Sequence, residues 1–203
     1  MTSIFSVVLA ASKLWWYVSR SAGIVSWVLL ALAVLWGLAL STRALGKRPA
    51  GPWLLDVHRF LGGLSVLFVL VHMLGLFLDD YEPFSLGELL VPYAKDWKAG
   101  PVAWGIVAFY VMLAVEGTSL LKAHLPKRFW HGVHLASYAL YAFATIHLLT
   151  VGTDRQNPLL RWSVIGSIGV VVFFTAYRAI GPGRAASIRV AGKPSVKSGE
   201  PKP

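Results

Sequence analysis

Five runs of about twenty apolar residues, separated by short charged connections, constrain this chain more than any other feature. They occupy 22–41, 53–78, 101–121, 129–151 and 161–180, and about 20 residues of helix cross roughly 30 Å of hydrocarbon. Backbone N–H and C=O groups find no water at that depth, so each run is expected to be a helix. A soluble domain of this length would bury one core beneath a charged surface. Here 56% of the residues are hydrophobic and only 14% charged, so the expected fold is all-α, a polytopic transmembrane bundle.

Lys and Arg number 19 against 9 Asp and Glu, an excess that would suit nucleic acid if it covered one soluble face. The charges instead fall in the connections, which argues against nucleic acid and for membrane lipid as the surrounding partner. The connections 42–52 and 122–128 and the segment after 180 hold Arg43, Lys47, Arg48, Lys122, Lys127, Arg128 and five further basic residues. The connection 79–100 carries Asp79, Asp80, Glu82, Glu88 and Asp96 against Lys95 and Lys98. The positive-inside rule then places the C-terminus in the cytoplasm and the N-terminus outside, as an integral protein of a bacterial plasma membrane.

Residues 1–21 are apolar but interrupted by Lys13 and Arg20. They read as an interfacial helix anchored by Trp15, Trp16 and Tyr17, with a sixth span as the alternative. Residues 181–203 read as a basic tail, too rich in Gly, Pro and Ser to pack. The absence of cysteine excludes disulfides, iron–sulfur clusters and thioether-attached haem.

Within the apolar runs the histidines stand out, because an ionisable group at membrane depth needs a partner. His58 and His72 are fourteen residues apart in the second run, about 21 Å along a helix. His134 and His147 are thirteen apart in the fourth, about 20 Å. One span lies between, so the two helices run parallel, and His58 can meet His134 near the cytoplasmic side while His72 meets His147 nearer the outside. Two bis-histidine haems at two depths fit that arrangement, since a porphyrin iron takes one neutral imidazole on each face. Thirteen residues leave His147 roughly 140° from His134 around an ideal helix, so a π-bulge, a kink or off-axis placement is expected there. His131 fits the matched spacing less well.

Other residues attach to the same reading. Arg59 suits a haem propionate at the cytoplasmic rim, with snorkelling as its plain alternative. Gly62 and Gly63 would admit a macrocycle close to the backbone, or serve helix packing. Glu116 in the third span is expected to bond a neighbouring hydroxyl or Lys122, or to serve a proton or quinol role. His124 reads as interfacial, and Trp130, Tyr138, Tyr141 and Phe143 as packing or as the edge of a cofactor.

The segments "LDVHRFLGGLSVLFVLVHM" and "RFWHGVHLASYALYAFATIHLLTVGTD" resemble the ferric reductase-like transmembrane domain of NADPH oxidases, ferric reductases and the haem-bearing membrane subunit of methionine sulfoxide reductase systems. The resemblance covers about 22–180. It implies two non-covalent haem b groups, an inner one held by His58 and His134 and an outer one by His72 and His147, and electron transfer across the membrane. Those oxidases and reductases carry a flavin and nicotinamide domain in the same chain; only about 23 residues follow the last run here, none with a G-x-G-x-x-G pattern. The donor is therefore expected to be a separate flavoprotein or a quinol. Ferric chelates, dioxygen and a secreted reductase remain open as acceptors. The competing reading is a haem-free transporter or scaffold binding metal ions through the same histidines.

Overall fold

The computed structural model describes residues 2–42 and 52–180, with side chains from Lys13 onward. Its described residues form helices and no strands: α1 (Thr2–Thr42), α2 (Pro52–Phe77), α3 (Leu86–Leu90), α4 (Ala99–Leu120), a 3-10 turn (Lys122–His124), α5 (Lys127–Leu135), α6 (Ser137–Val151) and α7 (Pro158–Ile180). Five segments are long and apolar enough to cross a membrane: Lys13–Thr42, Pro52–Phe77, Ala99–Leu120, Lys127–Val151 and Pro158–Ile180. The chain is thus an all-α polytopic transmembrane bundle.

The first span differs from expectation. It begins well before residue 22, and the segment expected to lie in the interface is continuous with it as one helix. Arg20 is accommodated because both its Nε and its outer nitrogen donate to the Asp154 carboxylate in the α6–α7 connection, with the guanidinium 4.8 Å above the Trp16 ring. The Arg20 hydrogen bond holds the Asp154 carboxyl below its ordinary range. Arg43, Lys47, Arg48 and the basic segment after 180 lie outside the described residues.

α1 is the centre of the bundle. Its Trp27, Leu30, Ala31, Val34 and Leu38 pack with Ala108 and Met112 of α4, Leu140, Tyr141 and Leu148 of α6, and Val164 and Val171 of α7. With no water to expel, helices in lipid hold together by close packing and interhelical hydrogen bonds. Both occur. A Cβ on Gly75 would lie 2.9 Å from the Ser19 backbone, so α1 and α2 touch main chain to main chain there. Across helices, Ser26 Oγ donates to Ser65 O at 3.1 Å, Trp27 Nε1 to Thr145 Oγ1 at 3.0 Å and Trp36 Nε1 to Leu54 O at 2.8 Å, and the Tyr141 and Ser167 hydroxyls are 2.6 Å apart. Large apolar side chains such as Phe60, Leu159, Trp162 and Phe173 cover the outside, as lipid contact requires.

The two ends differ in charge. Lys122, Lys127 and Arg128 mark a basic face, where α1 and α4 end and α2 and α5 begin. The opposite face, called acidic here for its Asp- and Glu-rich connection 79–100, also bears Arg20, Arg155 and Arg161. It carries α3, closed by a capping box between Ser85 and Glu88, where the Ser85 N–H holds that carboxyl below its usual range.

Candidate histidine-pair site

α2 and the α5–α6 segment run parallel, as the alternation of spans dictates, and bring the four histidines together two by two. His58 and His134 lie near the basic face with ring centroids 6.0 Å apart and planes crossed at 77°. His72 and His147 lie nearer the acidic face, 6.4 Å apart and crossed at 79°.

Between His134 and His147 the helix is broken at Ala136, between α5 and α6. There the Ala136 N–H reaches back to Val133 O at 2.9 Å, an i→i−3 bond that winds the chain tighter than an α-helix. Tighter winding advances His147 around the axis in the direction needed. The turn, at about 20° of extra winding per residue, supplies part of the roughly 140° mismatch.

Each imidazole is oriented through Nδ1. That atom lies 3.1 Å from Ala33 O in His58, 2.8 Å from Ser19 O in His72 and 2.9 Å from Pro101 O in His147. In His134 it lies 3.5 Å from Ser119 Oγ. A carbonyl can only accept, so Nδ1 carries the proton and Nε2 keeps a free lone pair, the tautomer that a metal-ligating histidine needs. Small residues make room for the rings. A Cβ on Gly37 would come 3.1 Å from His58, one on Gly23 3.0 Å from His72, and one on Gly105 2.6 Å from His147.

Two cavities surround the pairs. The one lined by His72 and His147 encloses about 1070 Å³, and the one lined by His58 and His134 about 230 Å³. Leu30, Met112 and Leu140 line both and form an apolar partition between them.

In its donor atoms, though not in the volume of the smaller cavity, the site matches the cofactor implied by the resemblance. A metal–imidazole bond of about 2 Å on either side of one ion, plus roughly 1 Å from each nitrogen to its ring centre, puts two centroids about 6 Å apart. Both pairs have that separation. Among the described residues no three His, Asp or Glu side chains converge, so each level offers two donors and suits a metal that brings its remaining ligands with it, as a porphyrin iron does.

Several residues singled out from the sequence lie elsewhere. Arg59 does not line the cavity beside His58; it is exposed and pairs with Asp56 at 3.6 Å. One residue past His58 is 100° around the helix, which turns it outward. Gly63 is likewise exposed, with open space at its Cβ position, while Gly62 lines the cavity and backs onto the Glu116 carboxylate. Among the described residues Glu116 has neither of its expected partners: Ser119 bonds the backbone and His134, and Lys122 sits 4.0 Å above the Trp130 ring. Trp130 stacks on His134 at 5.1 Å and 21°. Tyr138 lines the smaller cavity, whereas Tyr141 is buried against Ser167 and Phe143 stacks on Trp104. His131 lines that cavity without joining a pair, and His124 is exposed.

Sequence reasoning missed Arg178 of α7, a cationic group on the wall of the smaller cavity, because nothing along the chain relates it to His58. It also passed over the small residues of α1 and α4. Gly23 and Gly37 are fourteen apart, like the His72 and His58 they face, and Gly105 and Ser119 are also fourteen apart, one more than the His147 and His134 they face.

No curated protein and no solved structure matches the chain. Residues 14–154, which contain both histidine pairs and four of the five spans, match a domain of unknown function, DUF8596, and the chain belongs to that family.

Proposed function

We propose that the chain is a b-type dihaem cytochrome of the ferric reductase-like kind, carrying electrons across a bacterial plasma membrane from a separate cytoplasmic flavoprotein or a quinol to an acceptor outside. The observation that carries this reading is the pair of crossed imidazole couples, 6.0 and 6.4 Å between centroids, one toward each face. Haem b, held there without thioethers, supplies one-electron chemistry at iron.

The chain's own residues do the rest. Ala33, Ser19, Ser119 and Pro101 fix the four rings with Nε2 free. Leu30, Met112 and Leu140 put apolar side chains between the two levels. Trp130 lies between Lys122 and His134 and puts an aromatic ring between the basic surface and a ligand. Lys122, Lys127 and Arg128 complement an acidic donor domain. On the acidic face, ferric chelates, dioxygen and a secreted reductase are all compatible acceptors. The haem-free ion carrier is the weaker reading, because first-row ions favour three or four ligands at one level and each level here supplies two.

Stopped-flow haem reduction in proteoliposomes tests the direction and the donor. With NADPH plus a flavin reductase, the rate should fall as salt rises and fall again when Lys127 and Arg128 become Gln. With a reduced quinone it should ignore salt and respond to Glu116→Gln. Reduction by NADPH alone would contradict a separate dehydrogenase.

A further inference from the structure

Three of the four histidines are oriented by main-chain carbonyls, which no side-chain substitution removes. His72 Nδ1 also lies 3.1 Å from the Ser19 hydroxyl but keeps the Ser19 carbonyl at 2.8 Å, whereas His134 is the exception: the Ser119 hydroxyl, at 3.5 Å, is its one hydrogen-bond partner among the described residues. The role of that hydroxyl is fixed by its other contact. Ser119 Oγ lies 2.7 Å from Val115 O, which can only accept, so the single hydroxyl proton is committed there. Toward His134 the oxygen presents a lone pair, and Nδ1–H donates to it. The bond is longer than the carbonyl contacts of 3.1, 2.8 and 2.9 Å at the other three rings, and its acceptor is weaker. His134 is also the ligand of α5, just before the break at Ala136. Its backbone is therefore set by a nine-residue helix, and its ring is held by the Trp130 stack on one side and by Ser119.

We propose that Ser119 is a positioning residue for the His58–His134 level, setting the orientation and donor strength of His134 and, through them, the reduction potential of that haem alone. The inference rests on the dihaem reading. A hydrogen bond accepted from Nδ1–H pushes electron density toward Nε2 and favours ferric iron. Removing it should raise the potential of that level, by up to a tenfold change in the ratio of oxidised to reduced haem, or 59 mV for one electron. Ser119 faces His134 as Gly105 faces His147. At the acidic-face level the position holds glycine and Pro101 O supplies the acceptor; at the basic-face level serine supplies both the space and the acceptor.

The neighbouring Thr118 provides the control. Its hydroxyl bonds Ala114 O at 2.7 Å and Val115 O at 3.2 Å but touches no histidine. Redox titration and low-temperature electron paramagnetic resonance of purified holoprotein would compare wild type with Ser119→Ala, Ser119→Thr and Thr118→Ala. Ser119→Ala should shift the potential and the low-spin signal of one component upward and leave the other unmoved, Ser119→Thr should restore both, and Thr118→Ala should match wild type. Two wild-type components with Ser119→Ala superimposed on them would overturn the role of Ser119 and leave the dihaem reading standing. A Thr118→Ala shift as large as that of Ser119→Ala would reduce the effect to helix packing and equally overturn it. Wild-type protein without haem would overturn both.

Discussion

Gly105→Ala should empty one level of the site and spare the other. The added Cβ would lie 2.6 Å from both Nδ1 and Cε1 of His147, whereas ordinary contacts begin near 3.4 Å, so the ring must retreat by about 0.8 Å, the difference between the two. The same retreat would stretch the 2.9 Å Nδ1 contact with Pro101 O to about 3.7 Å, beyond a hydrogen bond. Overpacking of this kind costs about 1–3 kcal/mol, the lost bond about 1 kcal/mol, and replacing a helical glycine returns about 1 kcal/mol. The net, about 1–3 kcal/mol, weakens the haem ligand roughly ten- to a hundredfold, the range usual for a disturbed histidine partner. The assay is haem content per chain with redox titration of purified protein. Content should fall from near two toward one, and the component that remains should be the one lost in His72-intact, His58→Ala protein. Gly63→Ala, on an exposed position with nothing within 4 Å, should keep both haems. Gly105→Ala with two haems and unshifted potentials would refute the claim that His147 is a ligand held against α4.

Pairing is tested by substitution: His58→Ala and His134→Ala should abolish the same redox component, and His72→Ala and His147→Ala the other, so loss of different components within a pair would show the pairing to be wrong. Imidazole planes crossed at 77° and 79° leave the two iron dπ orbitals nearly degenerate, and both ferric haems should give strongly anisotropic low-spin resonance signals; a nearly rhombic signal typical of parallel planes would contradict the ring geometry. The Arg20–Asp154 tie is present above the ordinary carboxylate range, near pH 4, and is lost as pH falls through the depressed folded value of Asp154. Arg20→Gln should therefore cost about 1 kcal/mol at neutral pH and progressively less as pH is lowered below the ordinary carboxylate range, as read by thermal unfolding in detergent; a loss that did not change with pH would assign the effect to packing on Trp16.

The spans were legible because hydrocarbon thickness is written directly into the length of an apolar run, and the histidine pairs because parallel helices carry equal spacings to equal depths. What failed was whatever depends on residues far apart in the chain. Arg20 looked like an interruption of the first span, yet its charge is met by Asp154, 134 residues away. The break at Ala136 carries neither Pro nor Gly, and the need for it appeared only as an angular mismatch between His134 and His147. Depth puts Arg59 at the rim beside His58, while 100° per residue turns it outward to Asp56. Main-chain partners such as Ala33, Ser19 and Pro101 leave no signature of their own, although the fourteen-residue spacing of small residues on α1 and α4 marks where they approach.

The central claim is that each of two imidazole pairs holds a non-covalent haem. It is tested most directly by a haem assay and a dithionite-reduced spectrum of protein purified after haem-supplemented expression. The account predicts close to two extractable haem b per chain with a low-spin bis-imidazole spectrum. A reproducible haem content near zero would contradict it.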